Sequence, residues 1–531
     1  MLKEELQKYL ASIFVFCRSK NGIIILTAVF VAVYAVVFIF ISSPYRLFPS
    51  DDARIENVSW YKALTSYNGV SVMTMEASKQ LVRILHLSDV NGWLVLVIVS
   101  NVLTLLILSY LAYVISRSAS AAAMALGMFA FSAWPASYLL MASYAPWTGF
   151  LTLCLLASFV LAIREESEYK KTIYLMIGGG VASLLFASTS AALLSIAALA
   201  PFALIRRPIS MSFVFPGTFG MTILPFLLIN GRRLFEHWLP NIYNGHKFEA
   251  IQKFGQIPSS PWFSYLRILW MYSPLFVIVF LAIIIWFLYR YFIHKERSFS
   301  SRIILLCLGV IFLHSMLIDL LPFTKLGRSQ FPIYPITVLV FALLASEFFR
   351  TYVVKSRQCS FVLCLLFAIF AFGQLNWTKL MIQSKVESYK ELHALVGVHT
   401  PVYLLRDDPH SPFISKWLGE DRVSIVDGVQ NIVPSQEIFY ILIGPYGEKS
   451  GMSIMRHSVL PDFAFSEKNL SSGQMQVLEK KTLPYYSYLP PFLMEEEVSQ
   501  AFYFVGKSPD FQLERFQLHL FKIRPINKGA E

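Results

Sequence analysis

The chain has 531 residues, 56% hydrophobic and only 15% charged, with a mean hydropathy of +0.56. A soluble globular chain carries about 25% charged residues, so the composition excludes an ordinary water-soluble fold and points to a polytopic α-helical membrane protein. The net charge of +12 does not mark a nucleic-acid binder: the Lys and Arg of the apolar region sit mostly in short loops between apolar runs, and no basic stripe interleaved with aromatics is present.

Residues 1–21 are short, basic and partly amphipathic. They read as a cytoplasmic helix lying on the membrane surface, with a frayed terminus as the plainer alternative. Gly22–Ser42 follows as the first span. It is long and lacks a small-residue cleavage site, so it reads as an anchor rather than a signal peptide. Residues 43–91 form a polar loop of unusual length, with Pro44, Pro49 and the adjacent pair Asp51 and Asp52. Two helical stretches are expected inside it, Ile55–Ser66 and Glu76–Leu87.

Apolar runs of about 20 residues, each able to cross a hydrocarbon core of about 30 Å, then recur. They predict spans at Gly92–Ile115, Ala121–Met141, Pro146–Ile163, Thr172–Ala187, Ala191–Ile205, Met211–Asn230, Leu266–Tyr291, Ile303–Leu321, Phe331–Phe349 and Phe361–Leu375. Residues 22–378 thus read as a membrane domain of about eleven spans, an odd number that puts the termini on opposite sides. With the N-terminus inside, the inside loops carry Lys3, Lys8, Arg18 and Lys20, then Arg117, then Arg164, Lys170 and Lys171, then Arg206 and Arg207, then Arg290, Lys295, Arg297 and Arg302, and finally Arg350, Lys355 and Arg357. The positive-inside rule therefore predicts a cytoplasmic N-terminus and an extracytoplasmic C-terminus.

Beyond the last span the composition turns polar. Val402–Leu405, Val423–Val426, Ile438–Ile443 and Phe516–Ile523 read as strands, with a helix at Phe413–Leu418. Residues 379–531 are therefore expected to form a small α/β domain outside the membrane. The five cysteines, Cys17, Cys154, Cys307, Cys359 and Cys364, all precede this region, so it has no disulfide framework or Cys-type zinc site.

Three constellations have chemical content. In the first, Asp51 and Asp52 lie at the expected membrane–water boundary just after span one. Paired carboxylates there suit a general base with a positioning neighbour; equally, an Asp there caps a helix starting near Arg54. The second is Asp319 with Lys325 and Arg328 near the outer end of a span. Arg binds a lipid phosphate bidentately and Lys as a point charge; the plainer reading is snorkelling to the headgroups, with Phe331 and Tyr334 as members of an aromatic belt. The third is the outside loop of residues 231–265, with His246, Lys247, Trp262 and Tyr265. Aromatic faces and polar groups there suit a sugar, and interface anchoring by Trp and Tyr is the alternative. His314, inside a span, reads as an interhelical hydrogen bonder, and Gly178-Gly179-Gly180 as a site of close helix packing. The histidines show no metal-ligand spacing.

Together these places resemble the C-type (GT-C) membrane glycosyltransferases, and within them the family-39 branch of protein O-mannosyltransferases and the lipid A aminoarabinose transferase. Phe48-Pro49-Ser50-Asp51-Asp52-Ala53-Arg54 resembles the family's Pro-Asp-Glu-x-Arg opening of its first outside loop. Ser260-Pro261-Trp262-Phe263-Ser264-Tyr265 is similar to the family's Pro-x-Trp-Tyr-Tyr segment before the next span. Thr324 to Pro335 is similar to its basic segment leading into a Pro-containing span.

The resemblance implies an extracytoplasmic transferase in a bacterial inner membrane, moving a sugar from a polyprenyl-phosphate carrier to a lipid, glycan or protein acceptor. It puts Asp51 on the catalytic aspartate, Asp52 on its acidic neighbour, and Lys325 and Arg328 on the carrier phosphate. A monophosphate ester leaves as an anion that such cations hold, so this chemistry requires no metal and no other cofactor. The family's His- or Lys-Pro pair is missing, since Val72–Lys79 reads Val-Met-Thr-Met-Glu-Ala-Ser-Lys. Glu76 and Lys79 stand there instead as sugar- or acceptor-binding candidates. No Trp-Trp-Asp motif is present, which argues against N-glycosylation. A flippase would show midplane charges and internal repeats, and the sequence has neither. A non-catalytic glycan-binding membrane protein remains the other alternative.

Overall fold

A computed structural model describes Ala28 and residues 69–84, 92–138, 145–189, 192–204, 212–233, 263–320, 330–353, 369–376, 391–397, 399–405, 418–419, 421–426, 432, 438–443, 475–484 and 517–525. The expected N-terminal surface helix, the rest of the first span, the helix at Ile55–Ser66 and most of Phe413–Leu418 lie outside them. Helix α1 (Gly69–Ile84) begins seven residues before the predicted Glu76 and packs on α2 (Gly92–Ser116). Then come α3 (Ala119–Ala130), α4 (Ala133–Ser137), α5 (Ala145–Arg164), α6 (Glu168–Ser188) and α7 (Ala192–Leu199), which runs on into a 3-10 turn at Ala200–Leu204. The membrane region closes with α8 (Val214–Arg233), α9 (Ser264–Tyr272), α10 (Pro274–Phe292), α11 (Phe299–Leu320), a 3-10 turn at Phe331–Ile333 and α12 (Tyr334–Phe348).

Seven helices among the described residues are long and apolar enough to cross a membrane: Val95–Ser116, Ala145–Arg164, Glu168–Ser188, Val214–Arg232, Pro274–Phe292, Phe299–Leu320 and Phe331–Thr351. Three predicted spans need correction. Ala121–Met141 is broken after Ala130, and the 12 residues of α3 rise only about 18 Å, short of the hydrocarbon thickness. The break has a cause in Pro135. Its ring would clash with the carbonyl of Phe131 in a continuous helix, whereas in the first turn of α4 its missing N–H costs nothing. Leu266–Tyr291 is two helices, parted at Ser273, which is extended (φ −162°, ψ 100°). Pro274 opens α10, and the Ser273 hydroxyl accepts from Phe276 N at 3.3 Å, an N-cap followed by Pro at the first helical position. Ala191–Ile205 is short as well, its apolar helix running over Ala192–Phe202; Thr189, in extended conformation, ends the helix before it.

The glycine run reads as expected at two of its three positions. A Cβ on Gly178 would come within 2.6 Å of Ser158 Oγ. One on Gly179 would meet Thr218 Cβ at 2.8 Å and the Phe219 backbone N at 2.9 Å, while Gly180 faces open space. The backbones of α6 and α8 thus approach closely at Gly179, as small residues allow. Gly179→Ala is expected to destabilise the protein by about 1–3 kcal/mol through overpacking, outweighing the gain of about 1 kcal/mol in helix propensity. Gly180→Ala should keep only that gain. Unfolding midpoints in detergent should therefore move in opposite directions for the two variants.

Among the described residues five strands are present, all beyond residue 400: β1 (Val402–Leu405), β2 (Val423–Val426), β3 (Phe439–Ile443), β4 (Met475–Pro484) and β5 (Gln517–Pro525). The sheet order is β2-β1-β3-β5-β4, with β1 parallel to both β2 and β3, and the β3–β5 and β5–β4 pairs antiparallel.

Candidate functional site

The described part of the site is built around one hydroxyl. Ser264 opens α9. Its Oγ lies 2.5 Å from Asp319 Oδ1, at the end of α11, and 2.8 Å from Gln330 Nε2, at the head of the turn leading into α12. Asp319 also accepts from two backbone amides, Phe263 N at 2.7 Å and Ser264 N at 3.3 Å. A carboxylate at a helix N-terminus takes up N–H groups that have no partner within the helix, and the helix dipole favours it there.

These contacts explain an unusual backbone. Phe263 has φ 60° and ψ 36°, the left-handed region, which costs a bulky residue roughly 1–2 kcal/mol. Each hydrogen bond to a charged acceptor is worth about 1.5–3 kcal/mol, so the Asp319 contacts outweigh the strain. Asp319, grouped in the sequence with Lys325 and Arg328, is therefore the cap of a neighbouring helix.

Beneath the junction lies a buried aromatic cluster. The ring of Trp134 stands 4.8 Å from that of Tyr334 and 5.6 Å from that of Phe331, and Tyr138 is 4.9 Å from Phe331. Ser132 Oγ and the Tyr334 hydroxyl are hydrogen bonded at 2.7 Å. Phe331 and Tyr334, expected as rings of an interface belt, are instead core residues, each 1% exposed. Tyr265 is buried too, and its hydroxyl bonds Thr337 Oγ1 at 2.6 Å. Burial holds this phenol above its ordinary range, with the Thr337 bond opposing, so Tyr265 acts here as a neutral hydrogen-bonding group. Through Trp134, which also stands 6.3 Å from the ring of Tyr265, the cluster joins α4, α9 and α12.

Among the sequence candidates, Asp51, Asp52, His246, Lys247, Trp262, Lys325 and Arg328 lie outside the described residues. Glu76 sits on α1 and accepts from Gln80 Nε2 at 3.0 Å, one turn further on; Lys79 belongs to the same helix. The structure brings together Asp319, Ser264, Gln330 and Tyr265. Ser264 and Gln330 are uncharged and were not candidates in the sequence, although both fall inside the segments that carry the resemblance. His314 is buried as expected, with Nδ1 3.2 Å from Ser195 Oγ across α7 and α11. Among the described residues no three His, Cys, Asp or Glu side chains gather as metal ligands.

No family model matches the chain, and no curated protein matches it. Among solved structures it is similar to ArnT from Cupriavidus metallidurans in the apo state, with a TM-score of 0.51 and 12% identity over 79% of this chain and 92% of that one. ArnT from the same organism bound to undecaprenyl phosphate gives 0.49 at 12% identity, covering 80% and 94% of the two chains. The archaeal oligosaccharyltransferase AglB from Archaeoglobus fulgidus, in complex with an inhibitory peptide and a dolichol-phosphate, gives 0.46 at 12% identity over 81% and 70%. At this identity the likeness speaks for the fold alone, which the chain shares with ArnT.

Proposed function

We propose that the protein is a glycosyltransferase that takes a sugar from a polyprenyl-phosphate carrier and passes it, with inversion, to a lipid, glycan or protein acceptor at the outer face of a bacterial inner membrane. The observation that carries this reading is the shared contact of Asp319 and Gln330 with Ser264, in a chain whose fold is that of the C-type enzymes. Asp319 and Gln330 flank residues 321–329, which include Lys325 and Arg328, and Ser264 follows Trp262 by two positions. Two of the three constellations read from the sequence therefore end on the same hydroxyl.

The chemistry follows from the residue types. Asp51 takes the proton of the acceptor hydroxyl or amine as that atom attacks the anomeric carbon. The bond between that carbon and the phosphate oxygen breaks, and its electron pair leaves with the polyprenyl phosphate. Lys325 and Arg328 stabilise the charge that develops there, as fixed cations do for a leaving oxyanion. Asp52 positions Asp51. The isoprenoid tail stays in hydrocarbon, so the reacting carbon is confined to the membrane boundary, where the sequence places all four residues.

Mass spectrometry of envelope lipids and glycans, with and without the gene, tests the reading. One lipid, glycan or protein class should lose a single sugar when the gene is removed, and complementation should restore it. An unchanged envelope glycome, with unspent polyprenyl-linked sugar at its parental level, would count against it.

A further inference from the structure

We propose that the corner between α10 and α11 is a docking surface for anionic phospholipid headgroups. Three cations, Lys295, Arg297 and Arg302, stand exposed there within a short stretch of chain. Large apolar side chains lie among them: Phe292 and Ile293, 56% and 64% exposed, and Phe299, 37% exposed. Helix α10 leaves the candidate site at Pro274, and α11 returns to it at Asp319. The 19 residues of α10 rise about 28 Å, so the corner lies at the far ends of both helices. Lipid binding there is separate from the sugar transfer proposed above.

The ion pairs at the corner decide which charges remain. Glu296 is the sole carboxylate in residues 286–302, and Arg290 takes it: their side chains are paired, and the Glu296 backbone N donates to Arg290 O at 3.4 Å. Arg290 also meets Glu347 Oε1 at 3.5 Å, donates to Thr351 Oγ1 at 3.3 Å and stands 5.0 Å from the Trp286 ring centroid. This cation therefore ties the corner to the end of α12, and Glu296 and Glu347 both serve it. Among the described residues, Lys295, Arg297 and Arg302 have no ion pair. Arg297 lies over the Tyr291 ring at 5.8 Å, a contact that leaves its N–H donors without an anion. At a bilayer surface both halves of the pattern find partners: the apolar side chains enter the acyl boundary, and the cations reach the phosphates. A zwitterionic headgroup brings its own cation, whereas an anionic one does not, so the unpaired charges select the anionic lipid. Each Lys or Arg near an anionic surface contributes about fivefold in binding. Salt screening reduces the three together to about tenfold.

The test uses the full-length protein released from nanodiscs of equal phosphatidylcholine and phosphatidylglycerol, with retained lipids counted by native mass spectrometry. The parental protein is expected to retain phosphatidylglycerol about tenfold over phosphatidylcholine. Lys295→Gln, Arg297→Gln and Arg302→Gln together should cut that preference to about twofold or less, with Arg297→Gln alone in between. Lys295→Arg, Arg297→Lys and Arg302→Lys together keep the charge and should keep the preference. Arg117→Gln, Lys170→Gln and Lys171→Gln remove the same charge from the α2–α3 turn and the first turn of α6 and should leave it unchanged. Equal retention of the two lipids by the parental protein, or an undiminished preference in the triple Gln variant of the corner, would overturn the proposal. So would an equal loss in the Arg117, Lys170 and Lys171 variant, since preference would then follow total charge. Millimolar inorganic phosphate should not displace the lipid; displacement would replace the lipid surface by a small-anion site.

Discussion

Asp51→Asn is expected to slow sugar transfer by about 10²–10⁴-fold, the usual contribution of a positioned general base, while polyprenyl-phosphate binding stays at the parental level. The amide has the size and shape of the carboxylate but no basic oxygen to take the acceptor's proton. In the proposed mechanism binding survives because the carrier would be held by its tail in the bilayer and its phosphate on Lys325 and Arg328, neither of which needs Asp51. Asp52→Asn should cost less, since in the proposed mechanism that residue acts through its neighbour. The measurement is the rate of polyprenyl-phosphate release in the presence of acceptor, with carrier binding measured alongside. A folded Asp51→Asn protein that binds carrier and transfers sugar at the parental rate would remove Asp51 from the mechanism and leave the helix-cap reading of the acidic pair.

The membrane class was legible because apolar length is a local property, and β1 and β2 were read to the residue because both are short, mostly apolar runs between turn residues. The misses have physical causes. The apolar pattern runs unbroken through Phe131–Ala133 and through Ser273, so hydropathy alone saw one span in each place. Pro135 and the Ser273-Pro274 pair were the available signals. Strand β4 was missed because its middle, Glu479-Lys480-Lys481-Thr482, is polar, and a bulge between Val477 and Glu479 interrupts its pairing. Met475 and Val477 are half-buried before it, and Lys481 and Leu483 turn inward after it. The polar run leaves no apolar alternation over the strand as a whole for a sequence reading to find. At the candidate site, charge drew attention to Asp319 but not to its role. Its partner is 55 residues away in the chain, and a long-range contact to a serine hydroxyl leaves no mark on local sequence.

Arg328→Ala should lower the transfer rate by about 10²–10³-fold, the cost of removing one preorganised donor from a developing oxyanion, and should weaken binding of the free carrier phosphate. In the proposed mechanism the two effects have one origin: the guanidinium would meet charge in the bound phosphate and more charge as the anomeric bond breaks. The balance between them is informative. If Arg328 only anchors the carrier, raising the donor concentration should recover the full rate; if it also meets the leaving group, a deficit persists at saturation. Arg328→Lys restores the charge but not the planar two-donor fork, so it should recover binding more completely than rate. Lys325→Ala, which removes a point charge, is expected to have the smaller effect on the saturated rate. A parental rate and parental carrier affinity in folded Arg328→Ala would leave that side chain as a headgroup-seeking cation, and the charge on the departing phosphate would need a different partner.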